Sequence, residues 1–319
     1  MKRIGVLLVL IIVLASCKTD SQLEKDISKI DIDFTVERFD KAFSKAKPED
    51  LKNLKKTFPF LFSKRVPDSV WIERMNDTLQ QQLASEVDKG FGNLKDVEEE
   101  INDLFQHIKY YDKAFRVPRI VTLTSDVDYR NKVIVTDTIV LIALDTYLGT
   151  DHEFYSRFPQ FVSQNMKSSQ IVSDLASEYS KRYIYQTQKK TFLDEMIYFG
   201  KQLYFKDKVI PFKSNEEKMG YTKEQLEFAL ANESYVWRHF IENEMLYSTD
   251  TGLPARFIAP APFSKFYLEL DAQSPGRLGQ YIGWQIVKSY MNNNNVSLMN
   301  MLQEDAIEIF NKSKYKPQR

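Results

Sequence analysis

Catalysis needs nucleophiles, acids, bases or metal ligands held close together, and this sequence offers few. His107, His152 and His239 are its three histidines, and they are scattered. No His-x-x-x-His pair occurs, so a zinc site carried by two histidines on one helix is excluded. His107 falls beside the apolar face of its helix and reads as a surface or boundary residue. There is no G-x-S-x-G elbow and no glycine-rich phosphate loop. Carboxylates remain. Asp174 and Glu178 are spaced i, i+4 and share one helical face. Asp194 and Glu195 fall in the most apolar helical run, where charges must find partners or water. Candidate partners are Lys201, Arg182 and Arg238, and Glu233 and Glu242 lie on a later helix. Paired acids can do general acid–base work. They serve equally as structural ion pairs, and that reading is preferred.

A second candidate is the segment Arg256–Asp271, RFIAPAPFSKFYLELD. Arg256, Phe257, Phe263, Phe266 and Tyr267 either line a groove for a peptide or partner, or form an ordered loop packed on the core. Prolines lower the entropy cost of fixing such a loop. Gly276, Gly279 and Gly283 follow at spacings of three and four, which predicts close approach of another element. Arg277 and Gln280 among them argue against a membrane dimer face.

The class expected is α+β, predominantly helical, with a small sheet around residues 119–144. Asp68 and Ser69 can cap a helix with Trp71, Met75, Leu79 and Leu83 on one face, closed by Gly90 and Gly92. Leu94, Val97, Ile101, Leu104, Phe105 and Ile108 mark the next. RIVTLT, KVIVT and IVLIAL predict about three strands, with a turn at Thr136–Thr138. Helices are expected over 159–187 with a break near 168, over 190–205, from a Thr222–Gln225 capping box through Ile241, over 277–292, and from Ser297. Residues 248–276 read as irregular.

Lys2 and Arg3 precede eleven apolar residues, 4–14, and then Leu14-Ala15-Ser16-Cys17. That run suits an export signal and falls short of the ~20 residues needed to span a bilayer. Residues 1–16 are expected to be removed and Cys17, the single cysteine, to carry lipid. Residues 17–30 read as a polar tether and 31–319 as one globular domain, helical over 31–117, then sheet plus helical bundle over 118–319. Lys18 follows the cysteine where an inner-membrane retention signal would place Asp, so the expected location is the outer membrane, facing the periplasm. Lys+Arg and Asp+Glu both number 44, so nothing in the net charge supports binding to nucleic acid. No cofactor is expected.

LDTYLGTD (144–151), IVSDLASEY (171–179), FLDEMIYFGKQLYF (192–205), LYSTD (246–250), residues 256–291 and IFNKSKYKP (309–317) resemble the GldB gliding-motility lipoproteins of the Bacteroidetes. The resemblance implies a cell-envelope lipoprotein of gliding and of the associated type IX secretion apparatus, acting with other envelope proteins. It also implies a distant similarity to zincin-type zinc peptidases. Asp174 and Glu178 then stand at the two histidine positions, Leu175 at the catalytic Glu, and Phe199-Gly200 at the downstream Glu-Gly. Every ligand of the peptidase pattern is replaced, so the expectation is a zincin-like scaffold without enzyme activity. The alternatives are a hydrolase of envelope peptide or glycan using Asp174, Glu178, Asp194 and Glu195, and a peptidoglycan- or glycan-binding module.

Overall fold

A computed structural model describes residues 22–186, 190–268 and 271–318. The expected export segment and Cys17 lie outside the described residues. No described helix is long and apolar enough to cross a membrane.

The fold departs from expectation at its first element. Within the expected tether, Gln22–Ile27 form helix α1, and Ile27 is 1% exposed. Six residues do not hold a helix alone in water, so docking sustains it. Glu24 Oε2 lies 3.1 Å from His107 Nε2, and His107 Nδ1 is 2.7 Å from the Asp103 carbonyl. His107 is therefore buried, not a boundary residue.

Next come β1 (Val36–Arg38), α2 (Phe39–Ser44), α3 (Leu51–Thr57), α4 (Asp68–Asn76), α5 (Thr78–Gly90) and α6 (Lys95–Tyr111). The single helix expected after Asp68 is two. Asp77 adopts an extended conformation, and its carboxylate accepts from Gln80 N, capping α5. The break rotates Leu79 out to 52% exposure while Leu83 stays buried. In α6, Ile101, Leu104, Phe105 and Ile108 are buried as their spacing predicts.

Strands β2 (Arg119–Leu123), β3 (Val133–Val135) and β4 (Ile139–Ala143) form where the β-branched runs fall. The sheet has four strands in the order β1-β2-β4-β3. β1 and β4 run parallel to β2, and β3 closes an antiparallel hairpin on β4 through the predicted turn. Strand alternation divides the apolar side chains. Ile120, Val140 and Ile142 join the main core, while Val121 packs with Phe39, Phe58 and Phe62 in a smaller one.

The remaining helices are α7 (Gln160–Ser163), α8 (Ile171–Tyr183), α9 (Phe192–Val209), α10 (Asn215–Met219), α11 (Lys223–Ala231), α12 (Glu233–Glu242), α13 (Gly252–Phe257), α14 (Leu278–Asn293), α15 (Leu298–Gln303) and α16 (Ala306–Ser313). The expected break near 168 is a 3-10 turn at Ser168–Gln170 leading into α8. The helix started by the Thr222 box ends at Ala231, and α12 begins at Glu233 after a non-helical Asn232. The segment read as irregular contains α13, and the terminal helix is two, α15 and α16.

Helix α9, buried nearly all round, packs most extensively on α14. Small residues make that contact. A Cβ on Gly200 would lie 2.3 Å from Gly283 O, and one on Gly283 would lie 1.8 Å from Met196 O. Of the three glycines whose spacing predicted close approach, Gly283 serves the α9–α14 crossing, while Gly276 and Gly279 let the 257–261 segment approach, at Ala261 O and Phe257 O.

Candidate functional site

The four acids singled out in the sequence do not meet. Asp174, in the first turn of α8, pairs with the Lys132 ammonium and accepts a 2.8 Å hydrogen bond from Tyr147 Oη. Burial first, and the Asp174 charge second, push the Tyr147 phenol well above its usual range. Glu178, one turn on, pairs with Lys181. Asp194 is the N3 residue of the α9 capping box: Thr191 N and Oγ1 both donate to its Oδ2. Asp194 and Glu195 line a smaller pocket of ≈ 160 Å³ with Lys201. None of the three proposed counter-charges reaches them by an ion pair among the described residues. Lys201 Nζ donates to the carbonyls of Leu302 and Glu304, Arg182 pairs with Asp137, and Arg238 approaches Glu242. Buried Glu233 accepts from Tyr281 and Tyr315 hydroxyls and from Gln318 N, which fastens the C-terminal segment to α12.

Asp174 instead lines a cleft of ≈ 460 Å³ between α8, α9, the residues after α10 and the start of α14. Ligand sites are commonly 300–1,000 Å³. Lys206, on α9, reaches it from below: its Nζ donates to Ser173 Oγ at 3.0 Å and to Lys218 O at 2.8 Å. Burial pulls the Lys206 ammonium down to about 7; Asp174 opposes this, while Arg277, Lys132 and Lys218 add to it. Arg277, just before α14 at φ 64°, donates from Nη1 and Nη2 to Met219 O and Gly220 O, 2.7 Å each. Its guanidinium lies over the Tyr221 ring, 5.0 Å from the centroid. Gln202 lines the cleft at 5% exposure, and its Nε2 has no hydrogen-bond partner among the described residues.

Lys132, Gln202, Lys206 and Arg277 were not singled out by the sequence. They come from three segments: Gln202 and Lys206 share one face of α9 at i, i+4, while Lys132 and Arg277 lie far away in sequence, and no spacing rule links those to α9. One signal was present: Lys201 and Lys206 stand in the most apolar helical run of the chain, where an ammonium is costly.

The aromatic loop divides by role. Phe257 is fully buried in the core, and Phe266 packs on it at 5.0 Å and on His239 at 4.9 Å. Phe263 is half-buried. Tyr267 is 77% exposed at φ 64°, its backbone N–H donating to Asp271 Oδ2. Arg256 is clamped between these layers, 4.8 Å from the Phe257 centroid and 4.5 Å from that of Tyr267. The same segment supplies Pro260 and Ala261 to the cleft wall.

These arrangements can hold charge and bind. Among the described residues, no group of three or more His, Cys, Asp or Glu side chains could hold a metal ion. No curated protein and no solved structure matches the chain. A family model described as gliding motility protein GldB matches residues 20–317, which spans the described fold from α1 past α16. The chain therefore belongs to the GldB family of gliding-motility lipoproteins.

Proposed function

We propose that this protein is a lipid-anchored envelope protein that serves gliding motility and the associated type IX secretion apparatus as a non-catalytic interaction protein. Acyl chains on Cys17 moor it to the periplasmic face of the outer membrane, and the folded body contacts other gliding or secretion components. The observation that carries the reading is the dispersal of its acids. On a zincin-like scaffold α8 and α9 would bear the metal ligands. Here Asp174 is neutralised by Lys132, Glu178 pairs with Lys181, and Phe199-Gly200 supplies no donor side chain. Asp194 caps a helix. Such acids hold elements together and have no shared substrate. The exposed Tyr267, braced by Arg256, is the part of the aromatic loop free to touch a partner.

Complementation of a deletion strain tests this. Asp174→Asn, Glu178→Ala and Glu195→Ala are expected to restore gliding fully, and Tyr267→Ala combined with Phe263→Ala to reduce it at equal protein level. Lost motility in the carboxylate variants, with the protein present in normal amount, would overturn the reading.

A further inference from the structure

Five basic residues, Arg130, Lys132, Lys206, Lys218 and Arg277, line the ≈ 460 Å³ cleft against one acid, Asp174. Two of the five have their own counter-ions: Lys132 pairs with Asp174, and Lys218 with Asp207 at 3.2 Å. Lys206 and Arg277 do not. Every acceptor that the described residues give them is neutral: a serine hydroxyl and three carbonyl oxygens. A buried cation without a counter-ion is costly. Buried Lys206 and half-buried Arg277, beside the unpartnered Nε2 of buried Gln202, form a site whose charge is completed by something from outside.

Charge calls for an anion, and the rest of the lining says what carries it. Phe161, Phe199 and Leu203 give the cleft apolar surface, and Gln164 and Asn165, whose NH2 groups donate to Gly220 O, give it amide oxygens. A bare inorganic anion would occupy only a fraction of the volume. An organic chain with one carboxylate and several peptide groups fits charge, amides and apolar wall together. We propose that this cleft binds the terminal carboxylate of a peptide-sized ligand, with Lys206, Arg277 and Gln202 as its receptors. The proposal rests on the reading of the protein as an interaction partner, and it gives that interaction a chemical class.

Equilibrium dialysis of the full-length chain in detergent tests it, with mass spectrometry of what is retained. The probes are a randomised N-acetylated tetrapeptide pool with free carboxylates, the same pool amidated, and inorganic phosphate as competitor. The free-acid pool is expected to be enriched at least tenfold over the amidated pool. Lys206→Met should abolish the difference. Gln202 Nε2 makes no hydrogen bond among the described residues, so Gln202→Leu is expected to raise the unfolding midpoint while reducing retention at least fivefold. A residue with a merely structural role would not separate those two readouts. Equal retention of both pools, retention of neither, or displacement by phosphate at equal concentration would overturn the proposal. Peptides recovered shortened would leave the site standing and sink the non-catalytic reading instead.

Discussion

Lys206 concentrates the electrostatics of the site in one side chain. The residue is 7% exposed, and its ammonium faces one carboxylate, Asp174, against three cations, Lys132, Lys218 and Arg277. With its pKa pulled down to about 7, the native state binds fewer protons than the unfolded chain at higher pH, where an ordinary lysine is still charged. Stability therefore rises with pH above 7. Lys201, pulled down by burial to about 8, acts in the same direction. Denaturant titrations between pH 7.5 and 9 should show a gain of roughly 1–2 kcal/mol from Lys206, absent in Lys206→Met. A flat profile in the parent protein would refute the buried charge. Ligand affinity should move the opposite way, since a carboxylate needs the protonated amine. Asp174→Asn removes the one negative charge in the cleft and keeps an acceptor for Tyr147, so it is expected to tighten carboxylate binding. That also explains why the site was only partly legible. Spacing on one helix reveals Asp174 and Glu178, whereas a receptor assembled from Lys132, Gln202, Lys206 and Arg277 exists only after folding.

At the scale of elements, α9 and α14 set the geometry on which that receptor depends. Arg277 directly precedes α14, Gln202 and Lys206 belong to α9, and the two helices touch backbone to backbone at Gly200 and Gly283. A methyl group at 283 would meet the Met196 carbonyl at 1.8 Å, and neither backbone can yield without moving a helix. Gly283→Ala is expected to destabilise the protein by about 3 kcal/mol or more, read from urea unfolding. A loss under about 1 kcal/mol, the ordinary helical glycine-to-alanine scale, would show that the helices are not locked there. Gly283, one of the three spaced glycines, disclosed this contact in the sequence, as apolar periodicity disclosed α6 and the β-branched and apolar runs disclosed β2 and β4. What stayed hidden was decided by single residues or short pieces. Asp77 splits one apolar stripe into two helices by capping the second. Strand β1, three residues long, is too brief to show a period and exists because β2 offers it an edge.

For the whole molecule the decisive segment is α1, because it fixes how far the body stands from its anchor. A tether reaching to residue 30 would give the body wide freedom. With α1 docked, only Lys18–Ser21 lie between Cys17 and the folded surface, and four residues span at most ~14 Å. With the proposed lipid on Cys17, that short reach would keep the body close to the membrane. Ile27, 1% exposed, and the Glu24–His107 contact keep α1 in place. Glu24 is also the first glutamate of the chain, so a glutamate-specific protease can free the body from vesicles at that bond only if α1 first unfolds. Release from vesicles carrying the acylated protein should be slow, and Ile27→Asp should speed it at least tenfold without lowering the unfolding midpoint of the remainder by more than a few degrees. Cys17→Ser should leave the same folded body in the soluble fraction. Equal release rates for parent and Ile27→Asp would mean that α1 is not held, and the protein would ride on the long tether its polar sequence suggests.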